Sequence, residues 1–201
     1  MKILILGGDG YLGWPTAMHF ANKGHKVNIV DNYSRRKISK KNDSKPLFNN
    51  PNLIQRTKIF KKLFKKSIKV DLFDCQNFTK LNKLIKNFKP ELIIHYAEQP
   101  SAPYSMMGFD EAKFTLNNNL NVTFNIIWSV INNCPNSHII KLGTMGEYGT
   151  PNIDIEEGWI NLFHKGRKDK FLFPRQGSSL YHTTKILDTD LLWFYVRLYK
   201  V

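Results

Sequence analysis

The stretch Lys2-Ile-Leu-Ile-Leu-Gly-Gly-Asp-Gly-Tyr-Leu-Gly13 decides the fold of this chain. An apolar run followed at once by glycines is typical of a buried parallel strand that ends in a tight turn. The glycines recur as Gly-x-x-Gly-x-x-Gly at Gly7, Gly10 and Gly13 and lead into a helical pattern. Glycine lets a backbone approach a pyrophosphate closely, and the N-terminus of the following helix supplies amide hydrogens and a favourable dipole. The stretch therefore predicts a dinucleotide cradle between the first strand and the first helix.

The rest of the chain continues to alternate between strands and helices. This alternation predicts an α/β fold with a doubly wound parallel sheet, the Rossmann arrangement. The predicted strands cover residues 2–6, 26–30, 67–70, 91–94 and 137–142, and the predicted helices cover residues 11–23, 53–66, 78–88, 110–133 and 179–199. Residues 32–51 and 148–177 are expected to be long connections without regular structure.

The length of 201 residues fits one domain with a substantial core. The last predicted helix has an apolar face that would normally precede a further strand, and no second half follows it. We expect residues 1–201 to be a dinucleotide-binding domain, the N-terminal part of a longer enzyme that lacks the C-terminal substrate domain here.

Composition excludes several classes of protein. No apolar run approaches the roughly 20 residues that span a bilayer, and Met1 leads directly into a strand rather than a signal peptide. Cys75 and Cys134 are far apart and lack metal-ligand spacing, which suits a reducing compartment. We expect a cytoplasmic protein, or one of the plastid stroma if it is organellar, with no membrane span and no metal site.

The net charge of +14 is concentrated in one segment. Residues 35–69 carry thirteen Lys or Arg side chains and a single acidic residue, Asp43. Such a segment can attract nucleic acid, anionic lipid or a nucleotide substrate. We favour a solvated helix surface, so no nucleic-acid partner is expected.

Charged residues at the ends of two predicted strands indicate which dinucleotide is bound. Asp31 ends the second strand, where a carboxylate accepts hydrogen bonds from ribose hydroxyls and repels a 2′-phosphate. This position favours NAD over NADP, although Arg35 and Arg36 lie close enough in sequence to accommodate that phosphate. Asp71 ends the third strand and could contact the adenine, or serve only as a turn or helix cap.

A Tyr-x-x-x-Lys pair at Tyr181 and Lys185 carries the predicted chemistry. One helical turn separates the two residues, so both side chains share a helix face. A neighbouring ammonium, together with a positively charged cofactor ring, can lower the pKa of the phenol, so that the phenolate removes a proton from a sugar hydroxyl. Thr144, at the end of the fifth strand, can bind the same hydroxyl. Glu147 and His182 are candidate acids or bases.

Five motifs together resemble the extended short-chain dehydrogenase/reductase family, in its NAD-dependent epimerase/dehydratase branch. They lie at residues 7–14, 30–36, 101–106, 143–158 and 178–185, and the resemblance covers essentially the whole chain. The longest, Gly-Thr-Met-Gly-Glu-Tyr-Gly-Thr-Pro-Asn-Ile-Asp-Ile-Glu-Glu-Gly at residues 143–158, is the most specific.

The resemblance implies a sugar-nucleotide enzyme that converts UDP-glucose and sulfite into a sulfonated UDP-sugar for sulfolipid head groups. Bound NAD would oxidise C4 and later reduce it, while water is lost from C6 and sulfite adds in its place. The resemblance also implies a homodimer in the full-length form. A UDP-hexose 4-epimerase, a 4,6-dehydratase and a non-catalytic NAD-binding module remain alternatives.

Two positions depart from the family pattern. Related 4,6-dehydratases carry Thr-Asp-Glu where this chain has Thr144-Met145-Gly146, which makes an ordinary dehydratase the weaker hypothesis. The family also has an arginine at the position of Pro100, and its loss removes an expected phosphate contact.

Three sets of candidate site residues follow from the motifs and the resemblance. The catalytic candidates are Thr144, Tyr181 and Lys185, with His182 and Glu147 as further acid or base candidates. The cofactor-binding candidates are Gly7, Gly10, Tyr11, Leu12, Gly13, Asp31, Asn32, Arg35, Arg36, Asp71, Leu72, Asn119, Tyr181 and Lys185. The substrate-binding candidates are Thr144, Gln176 and Tyr181.

Overall fold

The computed structural model describes residues 1–156 and 158–200 and confirms the parallel α/β sheet. The strands of this sheet are β1 (Lys2–Leu6), β2 (Lys26–Asp31), β3 (Ile68–Leu72), β4 (Leu92–His95) and β5 (His138–Lys141). They lie in the order β3-β2-β1-β4-β5, and every neighbouring pair is parallel.

The central position of β1 determines where a ligand cleft can form. At its carboxyl end, Leu6 is paired with Val30 of β2 and with His95 of β4. The chain runs outward from β1 to β3 and then returns to the opposite side of β1. The connection that follows β1 leads to β2 on one side, and the connection that follows β4 leads to β5 on the other. Because these two connections run apart, a crevice opens at the carboxyl ends of β1 and β4.

Helices cover both faces of the sheet, and successive strand residues point to opposite faces. On one face, Ile3 and Ile5 are buried with Ala17 and Phe60; on the other, Leu4 and Leu6 are buried in a second apolar cluster. The helices are α1 (Gly13–Asn22), α2 (Ser34–Lys41), α3 (Leu53–Phe64), α4 (Phe78–Phe88), α5 (Ala102–Ser105), α6 (Phe109–Asn133) and α7 (Leu180–Tyr199).

Local sequence signals account for most helix boundaries. Asn52 and Gln55 form a reciprocal capping box at the start of α3, and Asn77 caps α4. Ser179 accepts a hydrogen bond from the backbone of His182 and caps α7. Because these side chains satisfy amides that have no partner within the helix, they set where each helix begins.

The two longest helices pack against each other. Phe124 and Trp128 of α6 form edge-to-face contacts with Tyr195 of α7, and Trp128 also contacts Tyr199. Within the described residues, no helix combines the length and hydropathy that a bilayer crossing requires.

The expectation of an irregular connection over residues 148–177 is wrong in its central part. There, β6 (Trp159–His164) and β7 (Arg167–Leu172) form an antiparallel hairpin separate from the main sheet. Lys165 and Gly166 form its two-residue turn, both with positive φ, which is the geometry of the turns that join tightly paired strands. The Lys-Gly pair between two six-residue runs was the available sequence signal.

The predicted connection over residues 32–51 also contains a helix, α2. None of its residues is buried, so it has no apolar stripe from which periodicity could have been read. One of its residues, Arg36, is instead paired with Asp9 of the glycine turn. Residues 42–51, which include Pro46, remain irregular as expected.

The glycine turn gives a matched test of backbone packing. A Cβ at Gly13 would lie 2.0 Å from the carbonyl oxygen of Gly7, whereas a Cβ at Gly10 would lie 3.3 Å from the same atom. We expect Gly13→Ala to lower the free energy of unfolding by at least about 1–3 kcal/mol, and Gly10→Ala to lower it by less than about 1 kcal/mol. Urea unfolding followed by circular dichroism measures both; equal losses would contradict this account of the turn.

Candidate functional site

A cleft of about 200 Å³ opens at the carboxyl ends of β1, β2 and β4. It lies at the reversal of strand order, where parallel α/β sheets bind their ligands. Eight of the cofactor-binding candidates line it: Gly7, Gly10, Tyr11, Leu12, Gly13, Asp31, Asn32 and Arg35.

The glycine turn forms the floor of this cleft by packing backbone against backbone. The amides of Gly7 and Gly8 both donate to the carbonyl oxygen of Val30, at 2.8 and 3.0 Å. Gly7 has a φ of +88°, and a Cβ there would lie 2.7 Å from the carbonyl group of Tyr96. Only glycine allows this approach, so the turn holds the ends of β1, β2 and β4 together.

Asp31 lies in the wall of the cleft with its carboxylate already oriented by two backbone amides. Oδ2 accepts from the amide of Asp9 at 2.8 Å, and Oδ1 accepts from the amide of Tyr33 at 2.7 Å. Burial raises its pKa above the usual range, although these amides act in the opposite direction. Each carboxylate oxygen has two acceptor positions, so both can still accept a hydrogen bond from a ribose hydroxyl.

Six cofactor-binding candidates are not among the residues that line the cleft: Arg36, Asp71, Leu72, Asn119, Tyr181 and Lys185. The Arg36 guanidinium is bound to Asp9, and Asp71 accepts a hydrogen bond from Asn28 at 2.9 Å. Leu72 is half exposed at the end of β3. Asn119 is fully buried, where it links α6 to the backbone of Gln99. Arg36, Asp71 and Asn119 are thus bound to other groups of the chain.

Several residues of the cleft wall were not anticipated from the sequence. They follow the carboxyl ends of β3 and β4 or face them from α6, as the rule for parallel sheets predicts. They are Phe73, Asp74, Cys75, Tyr96, Ala97, Glu98 and Asn118. Pro100, at the family's arginine position, also lines the cleft.

The structure brings Lys185 to the edge of this cleft. Its ammonium donates to the carbonyl oxygen of Leu142 at 2.6 Å and forms an ion pair with Glu98. The same ammonium lies 5.7 Å from the centre of the Tyr181 ring. Tyr181 itself is half-buried, and the amide of Tyr181 donates to Ser105 Oγ at 3.1 Å. Lys185 therefore joins the cleft, the end of β5 and the phenol.

Glu98 and Lys185 belong to a buried cluster of charges. Glu98 Oε1 is 2.8 Å from Lys141 Nζ, which is 2.9 Å from Asp188 Oδ2. The side chains of all four residues are at most 5% exposed. Burial would raise the pKa of Glu98, but the charges of Lys141 and Lys185 outweigh it and lower the pKa. Burial raises the pKa of Asp188 and lowers that of Lys185.

The expected lowering of the phenol pKa does not occur in the chain itself. Burial raises the pKa of Tyr181 above its ordinary value, and the negative charge of Glu98 raises it further. The sequence showed the lysine but not its counter-ion. Because Glu98 compensates the charge of Lys185, this lysine does not stabilise a phenolate by itself.

Thr144 caps a short 3₁₀ turn, Met145–Glu147, that packs against α7. The amide of Thr144 donates to Glu147 Oε1 at 3.1 Å, and the Thr144 hydroxyl accepts from the amide of Gly146 at 3.4 Å. A Cβ on Gly146 would lie 2.3 Å from His182 Nε2, so glycine makes room for this imidazole ring. The 3₁₀ turn that Thr144 caps therefore lies directly against the His182 ring.

The remaining site candidates differ in how free their side chains are. Glu147 is 5% exposed and is engaged as the partner of Thr144. His182 Nδ1 lies 2.7 Å from Ser178 Oγ and 3.0 Å from Ser179 Oγ, which leaves Nε2 beside Gly146. Gln176 is exposed, and its carbonyl oxygen packs against Gly149.

Comparison with known families agrees with this geometry. The family model described as NAD dependent epimerase/dehydratase matches residues 3–199. The chain is 42% identical to UDP-sulfoquinovose synthase of Sulfolobus acidocaldarius over 200 residues, which are 99% of this chain and 51% of the relative. It is 40% identical to the chloroplastic UDP-sulfoquinovose synthase of Spinacia oleracea over 193 residues, which are 96% of this chain and 40% of the relative. The chain spans about half the length of these relatives.

Similar solved structures share the fold at low sequence identity. UDP-glucose 4-epimerase from Bifidobacterium longum, in complex with NAD⁺ and UDP, matches 98% of this chain and 50% of that protein with a TM-score of 0.72 at 19% identity. UDP-glucose 4-epimerase from Brucella ovis, in complex with NAD, matches 100% and 49% with a TM-score of 0.70 at 17% identity.

The buried imidazole of His95, next to Glu98, predicts a pH-dependent stability. Burial lowers the pKa of His95 from 6.5 to about 3. The unfolded chain therefore binds a proton below pH 6.5 that the folded chain does not bind, and stability falls as the pH is lowered. Between pH 7 and pH 5 this residue should account for a loss of about 2 kcal/mol. Urea unfolding at pH 7 and at pH 5 measures the free energy of unfolding that is lost. In His95→Gln this loss should be smaller by about 2 kcal/mol than in the unsubstituted chain, and an equal loss would contradict the assignment.

Proposed function

The chain belongs to the NAD dependent epimerase/dehydratase family, and from that premise we propose that it supplies the NAD-binding and catalytic residues of a UDP-sulfoquinovose synthase. The observation that carries the proposal is the identity of 42% with such an enzyme over 99% of this chain. The substrates in this proposal are UDP-glucose and sulfite. The homodimeric full-length form and the cytoplasmic or stromal location belong to the same proposal.

The cleft has the features that a dinucleotide needs. Gly7, Gly10 and Gly13 present backbone at the start of α1, where the amide groups and the helix dipole favour a pyrophosphate. The carboxylate of Asp31 retains acceptor capacity for ribose hydroxyls. Bound NAD would supply the hydride acceptor for C4 of the sugar and a positive charge beside Tyr181.

In this proposal Tyr181 acts as the base for the sugar hydroxyl, and Lys185 is the positioning residue for Tyr181. The pKa of Tyr181 is raised in the chain itself, so the phenol must first lose its proton, and the phenolate that then accepts the sugar's proton requires further positive charge nearby. The ammonium of Lys185 is bound by Glu98 and by the carbonyl oxygen of Leu142, and it lies 5.7 Å from the centre of the Tyr181 ring. Thr144, at the start of the adjacent 3₁₀ turn, is the candidate hydroxyl partner for the substrate oxygen.

His182 is the stronger candidate for protonating the hydroxyl that leaves C6. Its Nδ1 is held by two serine hydroxyls, and its Nε2 lies against the turn that carries Thr144. Glu147 is buried and already accepts a hydrogen bond from the amide of Thr144.

The activity is tested in a hybrid in which this chain replaces the matched segment of the Sulfolobus acidocaldarius relative, because the chain spans only 51% of that protein. The purified hybrid is incubated with NAD, UDP-glucose and sulfite, and the nucleotide sugars are analysed by mass spectrometry. We expect UDP-sulfoquinovose to form. Tyr181→Phe should lower the rate by at least about 100-fold, because the oxygen that accepts the proton is removed, while Tyr195→Phe on the same helix should have little effect. The affinity for NAD should change by less than about threefold in either variant.

Two outcomes would contradict the proposal. Formation of a C4 epimer or a released 4-keto-6-deoxy sugar without sulfite would favour an epimerase or a dehydratase. Binding of NAD by the hybrid without any product would favour a non-catalytic NAD-binding module.

A further inference from the structure

Asp9, in the middle of the glycine turn, binds two arginines from distant parts of the chain. Arg36 of α2 donates to Asp9 through Nε at 2.6 Å and through Nη2 at 2.8 Å, a two-pronged pairing. Arg56 of α3 pairs with the same carboxylate through Nη2. The side chains of Asp9 and Arg56 are 9% and 15% exposed, whereas that of Arg36 is 37% exposed, so the clamp is buried on the Arg56 side and open to water on the Arg36 side.

Further contacts hold the two guanidinium groups in place. Arg36 also donates to the carbonyl oxygens of Asn50 and Pro51, at 3.0 and 2.9 Å. The guanidinium of Arg56 lies 4.8 Å from the centre of the Trp14 ring. Burial lowers the pKa of Arg56, whereas the hydrogen bonds to Asp9 raise that of Arg36. The guanidinium groups of Arg36 and Arg56 are both held against the Asp9 carboxylate.

The clamp adjoins the position proposed for the adenosine ribose. The amide of Asp9 donates to Asp31 Oδ2 at 2.8 Å, and both residues line the cleft. A phosphate on the ribose 2′ oxygen carries about two negative charges at neutral pH and prefers paired guanidinium donors. Arg36 and Arg56 could supply such donors if Asp9 did not already bind them.

We propose that Asp9 determines the specificity of this cleft for a dinucleotide with a free 2′-hydroxyl. The Asp9 carboxylate competes with a 2′-phosphate for the donors of Arg36 and Arg56, and it adds a second negative charge next to Asp31. This inference rests on the proposed binding of NAD. It assigns selectivity to a residue of the glycine turn in addition to the carboxylate at the end of β2.

The clamp also fastens α2, which buries none of its residues, to the glycine turn. A purely structural role would weaken the binding of both dinucleotides equally. A selective role changes the ratio of the two affinities, and this ratio is the quantity to measure.

The test compares NAD with NADP, and adenosine 5′-monophosphate with adenosine 2′,5′-bisphosphate, by isothermal titration calorimetry on the whole chain. In Asp9→Asn we expect the ratio of the NADP Kd to the NAD Kd to fall by about tenfold or more, because two guanidinium groups become available. The bisphosphate should show the same shift relative to the monophosphate. Adding Arg36→Gln and Arg56→Gln to Asp9→Asn should restore the original ratio.

Arg36→Gln alone provides an independent test should Asp9→Asn fail to fold. Asp9 then keeps only one cation, so discrimination against NADP should increase by a few-fold or more. An unchanged ratio in the folded Asp9→Asn chain, or an unchanged ratio in Arg36→Gln, would overturn the role of Asp9 and leave NAD binding intact. Failure of the unsubstituted chain to bind either dinucleotide would overturn the proposed function itself.

Discussion

The carboxylate of Glu98 connects the cleft, the edge of the sheet and the helix that carries the catalytic candidates. It follows β4, lines the cleft, and pairs with Lys141 of β5 and Lys185 of α7. Because these groups are almost completely buried, removal of one charge leaves its partner uncompensated, at a cost of about 3–5 kcal/mol. The position of Lys185, and with it the relation of Tyr181 to the cleft, therefore depends on Glu98.

The same pairing changes the electrostatics of the site. An isolated ammonium beside a phenol stabilises the phenolate, whereas an ammonium compensated by a carboxylate does not. Glu98 and burial together raise the pKa of Tyr181. The chain thus holds Lys185 rigidly but leaves Tyr181 protonated, which fits a site in which the charge of a bound cofactor completes the activation.

The other end of the cleft is organised by the glycine turn. Its backbone contacts Val30 and Tyr96, so a cofactor seated there would touch three neighbouring strands at once. Asp9 extends this organisation outward by binding arginines from two helices of the basic segment. Part of that segment's positive charge is therefore structural, while its lysines on α3 remain exposed.

The sequence by itself determined the parallel α/β sheet, the glycine turn, Asp31 and the Tyr-x-x-x-Lys helix, because each depends on residues close together in the chain. It did not reveal α2, which lacks an apolar stripe. It also did not reveal the hairpin, whose Lys-Gly turn lies within a segment that was expected to be irregular. Only the tertiary structure decided which charges meet. Asp9 with Arg56, and Glu98 with Lys185, are pairs far apart in sequence, and the paths of the intervening loops that bring them together leave no periodic signal.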